Sequence, residues 1–322
     1  MNRRSLLKLT GATLASGVLA TTSAVAADWK PRRPINLVVP FNPGGGVDTY
    51  ARTVAAGLQD KFGVPFVIAN KPGAGGITGA IEASNARPDG QTFLFTSFGS
   101  FLLGAMFKGA EVNPLESFDT VAQAGRIVFA VAVPKDSPLQ NANDLIEAAR
   151  ANPGALRWGH AGRGGTTHIP GQALLDANGV TATDVPFKGG AKIRAAVLGK
   201  QVDFGIVGIQ QSFGFEDELR VIGVFSDDRY SLAPDVPTFV EQGLESVNID
   251  APIGLTAPKG TDPEILAALE AAMSEIVNDP SFAETMAEKG LTPAYKSAAD
   301  AIAGLEAMRD GAKPIIDALK DG

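Results

Sequence analysis

From residue 35 onward, short apolar runs alternate with stretches whose apolar residues recur every three or four positions. "INLVVP" (35–40) is nearly all apolar and predicts a buried strand. "DTYARTVAAGLQDKFG" sets Tyr50, Val54, Leu58 and Phe62 on one helical face, with Gly63 placed for the C′ position. "PFVIAN" (65–70) predicts a second strand. "KPGAGGITGAIEASNA" predicts a glycine-rich turn and a helix, and "PDG" (88–90) a turn before the strand "TFLFTS" (92–97). "VAQAGRIVFAVAV" (121–133) is too long for one ordinary strand, so one strand or two leave the first lobe there. "NANDLIEAARANPG" predicts a helix with an Asn cap and a Pro-Gly stop. The strand "LRWGH" leads through "AGRGGTTH" into a helix ending near Ala177, and the rhythm continues through "ATDVPF", "GGAKIRAAVLGK", "VDFGIVGI" and "ELRVIGVF". "VNIDAPIGLTAP" (247–258) predicts a second crossover, and the remainder reads as helix at about 262–277, 281–289 and 297–320.

This alternation predicts an α/β fold with parallel strands. The helical tail has no strand of its own to cover, so it is expected to pack back on the first sheet. The first lobe is then discontinuous, residues 27–129 and 248–322, with 130–247 forming the second. Two crossover strands leave a cleft between the lobes, a setting that favours small ligands.

Composition narrows the chemistry. With 45% hydrophobic residues, 20% charged, 37 glycines and 21 prolines, the chain is globular and rich in turns. It has no cysteine, which excludes disulfides, thiolate nucleophiles and cysteine-ligated zinc. The net charge of −7 argues against a nucleic-acid partner. Residues 1–26 read as an export signal: Arg3, Arg4 and Lys8, a short apolar stretch from Leu14 to Ala20, and Ala24-Val25-Ala26 for cleavage near Ala26. The arginine pair in "NRRSLLK" resembles the twin-arginine type, with the general secretory type as the alternative. Its removal takes three cations and no anion, so the mature charge falls from −7 to −10. A periplasmic location is expected.

Three glycine-rich turns each sit between an expected strand and an expected helix, where open α/β sheets bind ligands. A helix start offers unpaired N–H groups and about half a positive charge, and a missing Cβ lets an anion approach. "PFNPGGGVD" offers Phe41, Gly44 and Gly45. Asp48 reads first as a helix cap and second as a ligand contact. "KPGAGGITG" offers Ala74, Gly75, Gly76 and Thr78, and the strand ending at Ser97 adds a hydroxyl. "HAGRGGTTHIPG" offers Gly164, Thr166, Thr167 and His168, and Arg163 is expected either to clamp a second carboxylate of the ligand or to stay solvated. Lys188 in "PFKGG" is a further anion contact or a surface lysine. Phosphate is the rival anion, but "GAGGITG" lacks the dinucleotide spacing and no Walker pattern occurs. His160 and His168 are the only histidines, with no carboxylates at metal-ligand spacing, so no metal is expected. No G-x-S-x-G or H-E-x-x-H is present, and the only Ser-x-x-Lys, Ser5 to Lys8, lies in the signal.

Five segments together resemble the Bug family, the extracytoplasmic receptors of tripartite tricarboxylate transporters: "INLVVPFNPGGGVDTYAR", "VIANKPGAGGITGA", "RPDGQTFLFTS", "VPFKGGAKIRAAVLGKQVDFGI" and "LRVIGVFSDDRYSLAPDVPTFVEQG". The resemblance implies a periplasmic binding protein of the type II topology, closing around a small carboxylate. It implies that one carboxylate sits between the loops 41–48 and 73–78. The second lobe would add the turn 162–168, with Lys188, Gly189 and Asp203. Two positions depart from the family pattern: Ile77 precedes Thr78 after the second set of glycines, and Arg163 stands where a small or polar residue is usual. The expected function is delivery of a small organic acid to membrane permease subunits by a monomeric receptor, without cofactor and without catalysis. A ligand-presenting adaptor for a membrane sensor kinase and a periplasmic enzyme on the same scaffold are the alternatives.

Overall fold

A computed structural model describes residues 29–247, 249 and 251–321. The expected export signal lies outside the described residues. β1 (Ile35–Val39), α1 (Gly46–Phe62), β2 (Phe66–Asn70), α2 (Ile77–Ser84), β3 (Thr92–Ser97), α3 (Phe98–Lys108) and β4 (Phe118–Ile127) build the first lobe. β5 (Phe129–Pro134), α4 (Ala142–Ala151), β6 (Arg157–His160), α5 (Ile169–Ala177), β7 (Thr183–Pro186), α6 (Gly190–Leu198), β8 (Phe204–Gly208) and β9 (Leu219–Val224) build the second. The chain returns to the first sheet through β10 (Ala251–Pro258), α7 (Pro263–Val277), α8 (Pro280–Ala287), β11 (Thr292–Ser297) and α9 (Ala298–Asp321). The long run 121–133 is divided at Val128: β4 ends in one sheet and β5 begins in the other.

The strand order is β11-β4-β10-β3-β1-β2 in the first sheet and β7-β6-β8-β5-β9 in the second. The sheets are mixed, which corrects the expectation of parallel strands throughout. β1 pairs parallel with β2 and β3, and β6 parallel with β7 and β8. β10 is antiparallel to β3 and β4, and β5 to β8 and β9. The cause is the passage between lobes. β4 leaves its sheet at the cleft, so the strand that returns must enter from that same end and run the other way.

Most predicted elements form for the expected local reasons. Tyr50, Val54 and Leu58 are buried along one face of α1, and Gly63 closes it with φ 71°. Asn141 and Asp144 make a reciprocal capping box at the start of α4. Two elements escape the pattern. α3 has no polar stripe; Phe98, Phe101, Leu102, Leu103 and Ala105 are all buried, so its periodicity is lost. β11 replaces part of the all-helical tail. "TPAYKS" is a half-exposed edge strand that tolerates Pro293, and it exists because β4 offers a free edge (Thr292 opposite Arg126, Ser297 opposite Ala122).

Tyr50 ties these pieces together. Its fully buried hydroxyl donates to the Thr292 carbonyl at 2.5 Å and lies 3.3 Å from that of Arg126, linking α1 to β11 and to the crossover strand β4. A Cβ at Gly125 would overlap the ring, which is why that strand position is glycine. Tyr50→Phe is expected to lower the unfolding free energy by about 1–2 kcal/mol in urea titrations, since it removes a buried donor from the half-buried Thr292 carbonyl. An unchanged midpoint would remove this tie.

Candidate functional site

The first glycine turn is braced by one buried carboxylate. Asp48 Oδ2 accepts from the Gly44 amide and from Arg52 Nε, both at 2.9 Å; Oδ1 accepts from Asn70 Nδ2 at 2.9 Å and from Arg52 Nη2 at 3.1 Å. Burial alone would raise its pKa, but these hydrogen bonds outweigh it and hold the carboxyl below the usual range. Asn70 also donates to the Phe41 carbonyl at 3.0 Å. Asp48 therefore spends its acceptors inside its own lobe and shapes the loop. Gly45, the N-cap of α1, has no side chain to cap with, so that helix start is open to an external anion. Asp48→Ala is expected to cost about 2 kcal/mol of stability and to weaken ligand binding as well, although the residue does not line the cavity. Calorimetry alongside thermal melts tests this, and an affinity that survives the loss of stability would separate brace from binding.

In the second lobe, the turn after β6 is held by a buried network. Thr167 Oγ1 accepts from the Ala161 amide at 2.8 Å, and His160 Nδ1 accepts from the Gly162 amide at 3.1 Å. His160 Nε2 then carries the proton and donates to Asp184 Oδ2 at 2.9 Å. Arg163 closes on the same carboxylate, Nε to Oδ2 at 2.8 Å and Nη2 to Oδ1 at 2.6 Å. Burial would raise the Asp184 pKa, but Arg163 and His160 hold it low. His168 lies against His160 at 4.7 Å between ring centres and stacks on Trp158 at 5.7 Å. Burial, with His160 nearby, pushes its pKa down to about 4.

His160, His168 and Asp184 bring ligating atoms within 4.8 Å of one another, a group of metal-binding residue types that their sequence spacing does not reveal. The tautomer opposes a metal. With Gly162 donating to Nδ1, the Nε2 of His160 keeps its proton and has no lone pair for an ion. Arg163 also occupies the Asp184 carboxylate. We read the cluster as a buttress for the turn.

The lobes meet across the cleft. Asn42 Nδ2 donates to the Lys188 carbonyl at 2.8 Å, and Gln211 Nε2 to the Gly44 carbonyl at 3.4 Å. A Cβ on Gly162 would stand 3.0 Å from the Gly75 Cα, so the two turns touch backbone to backbone. Between the lobes is a cavity of about 50 Å³. Gly45 and Gly46 at the start of α1, and Gly189 and Gly190 at the start of α6, form part of its wall. Ser97 and Ser100 at the start of α3, with Thr166 and Thr167, supply hydroxyls. Phe41, Val47, Ile127 and Phe129 are the apolar lining, and Gln210 is the one side-chain amide. No ionisable side chain among the described residues lines it, so three helix starts and four hydroxyls face a space without a described cation. That arrangement suits an anion held by dipoles and hydrogen bonds.

Of the sequence candidates, Phe41, Gly45, Ser97, Thr166, Thr167 and Gly189 line the cavity. Gly44, with φ 79°, shapes the turn behind Gly45. Ala74, Gly75, Gly76 and Thr78 do not line it: Gly75 faces Gly162, Gly76 backs on Phe41, and exposed Thr78 folds over Gly73. Gly164 lies directly against Phe107, and His168 lies behind the turn. Three further candidates stand away from the cavity, Arg163 and Lys188 with the exposed side chains of their second expected reading. Arg163 does not reach into the cleft, because Asp184 holds its guanidinium on the outside, where the side chain is 61% exposed. Lys188 bridges the lobes through its carbonyl while its side chain is exposed. Asp203, just before β8, accepts from the Arg157 amide at 2.7 Å, about 16 Å of strand away from the cleft end at Gly208.

Ser100, Ile127, Phe129, Gln210 and Gly208 were not foreseen. A signal existed for Gln210: polar residues directly after a strand whose carboxyl end faces the cleft. Its side chain is 8% exposed and its Oε1 has no hydrogen-bond partner. Cβ atoms at Gly46 and Gly208 would overlap its amide, so both glycines make room for it.

Residues 50–320 match the family described as the tripartite tricarboxylate transporter family receptor. Protein BugT of Bordetella pertussis is 30% identical over 91% of this chain and 90% of its own length. The solved structure of Rpa4515 from R. palustris with adipate superposes with a TM-score of 0.85 at 28% identity, covering 90% of this chain and 98% of that one. MatC from Rhodopseudomonas palustris with bound malate gives 0.82 at 27%, covering 89% and 99%.

Proposed function

The chain belongs to the tripartite tricarboxylate transporter receptor family, which includes the Bug proteins, and on that premise we propose that it captures a small dicarboxylate in the periplasm and delivers it to permease subunits of a tripartite transporter. The observation that carries this reading is the cavity wall: the starts of α1, α3 and α6 and four hydroxyls converge where no side-chain cation competes. Adipate and malate in two related structures agree with that chemistry. The ligand enters an open cleft, and the lobes then close. Only the shut form presents both sets of donors, so binding shifts the population toward it. Arg163 plays no part in reading a distal carboxylate while Asp184 holds it. No described helix is long and apolar enough to cross a membrane.

The orphaned Gln210 oxygen adds a preference. A buried acceptor without a donor is costly, and a ligand hydroxyl would relieve it. Gln210→Leu is expected to weaken a hydroxydicarboxylate about 10-fold while changing the unsubstituted parent acid less than about 3-fold, read by calorimetry. Equal losses for both acids would remove Gln210 from selection. The function itself is tested by native mass spectrometry of co-purified material and a thermal-shift screen of organic acids, where a binder raises the melting temperature with occupancy. Turnover of the bound acid, or no response to any carboxylate, would overturn the reading.

A further inference from the structure

We propose that a second ligand site lies at the junction of the lobes, apart from the cleft, and takes a monocarboxylate with an apolar tail. A pocket of about 360 Å³ opens there, against about 50 Å³ in the cleft cavity, and it shares no lining residue with it. That volume is within the range of small-molecule sites. Leu103, Ile169, Val247, Ile249, Met308 and Ala312 give it apolar walls.

Gly304 and Gly311 are interior positions of α9 on the pocket wall, and glycine weakens a helix relative to alanine. A Cβ at Gly311 would meet nothing within 4 Å, and one at Gly304 only Lys296 Nζ at 3.9 Å. Both positions are exposed and would accept a larger side chain, so a leucine at Gly304 is a direct test of the hollow beside it.

Among the described residues, one charge faces this volume. Lys296 is the sole ionisable residue on the wall and makes no ion pair among the described residues. The other polar group there, Gln123, has its Nε2 committed to the Ala294 carbonyl at 3.0 Å. A single exposed ammonium at the edge of an apolar hollow, with no acid among the described residues of its wall, complements a carboxylate head and a hydrocarbon tail. The walls come from both lobes, since Leu103 and α9 belong to the first and Ile169 begins α5 of the second. Val247 and Ile249 lie on the return passage. An occupant would therefore bear on how the lobes stand relative to each other.

Octanoate is the probe, titrated into the intact protein by calorimetry and followed by thermal shift. Saturable binding is expected, with octanol at least 10-fold weaker. Gly304→Leu should weaken octanoate at least 10-fold, and Lys296→Gln should abolish the preference for octanoate over octanol. Gly45→Val, which obstructs the cleft, should leave octanoate binding within about 2-fold. The proposal is overturned if octanoate does not saturate the wild type, or if Gly45→Val removes its binding while Lys296→Gln does not. Should Gly304→Leu fail to fold, the other two variants decide.

Discussion

Gly45→Val is expected to reduce affinity for the dicarboxylate at least about 100-fold, or roughly 2.7 kcal/mol, while the ligand-free protein melts within about 3 °C of wild type. Gly45 sits at φ −84°, ψ 166°, an extended conformation that valine adopts without strain. A Cβ there has the Asn42 carbonyl at 3.7 Å as its nearest neighbour, so the fold has room for it. The room is the cavity itself. A branched side chain at the N-cap of α1 stands where an anion would meet the helix start. Gly44→Val is the control: at φ 79° the backbone is strained, so this variant loses stability as well as binding. Isothermal calorimetry with the acid identified by the screen, beside thermal melts of both variants, gives the answer. Undiminished binding by Gly45→Val would mean that the first turn only shapes the chain.

Acidification is expected to destabilise the ligand-free protein by about 3 kcal/mol between pH 6.5 and 4, largely through His168. Burial, with His160 beside it, lowers the pKa of this histidine from 6.5 to about 4. Its Nδ1 is buried without a partner, so a proton would add a charge that nothing satisfies. In this window the unfolded chain binds a proton that the native state refuses. Stability is therefore full above pH 6.5, falls as the pH drops, and levels off below the native value. His160 is displaced in the same direction by burial and adds to the fall. The depressed carboxylates Asp48 and Asp184 act at lower pH, below their ordinary value of 3.8. His168→Phe keeps a ring against Trp158 and removes the titration. Urea unfolding at pH 7, 5.5 and 4 should show a much shallower fall in this variant. Parallel curves for the two proteins would exclude His168 as the cause.

Much of the fold is legible in the sequence because its signals are local. Apolar runs, the Asn141 cap, Gly63 and the Pro-Gly stops act on the backbone within a few residues of themselves. The elements that escape lack such a signal. α3 is buried on nearly every side and so has no amphipathic stripe, and β11 is a strand only because β4 has an edge to pair. The site is legible in the same proportion. The turns announce themselves through glycine, yet the second turn presses on its opposite number instead of lining the cavity.

The chain by itself determined where strands hand over to helices, that the starts of α1 and α6 carry glycine and no capping side chain, and that no thiol chemistry is available. Each of these follows from residue type and near-neighbour spacing alone. Only the tertiary structure decided that Arg163 serves Asp184, 21 residues away, that Gln210, just past the cleft end of β8, enters the cavity while Asp203, before its other end, holds the Arg157 amide, and that Ile127 and Phe129 wall the cleft. Those outcomes depend on sheet register and on which surfaces meet when two lobes are brought together, and no local preference of the backbone encodes either.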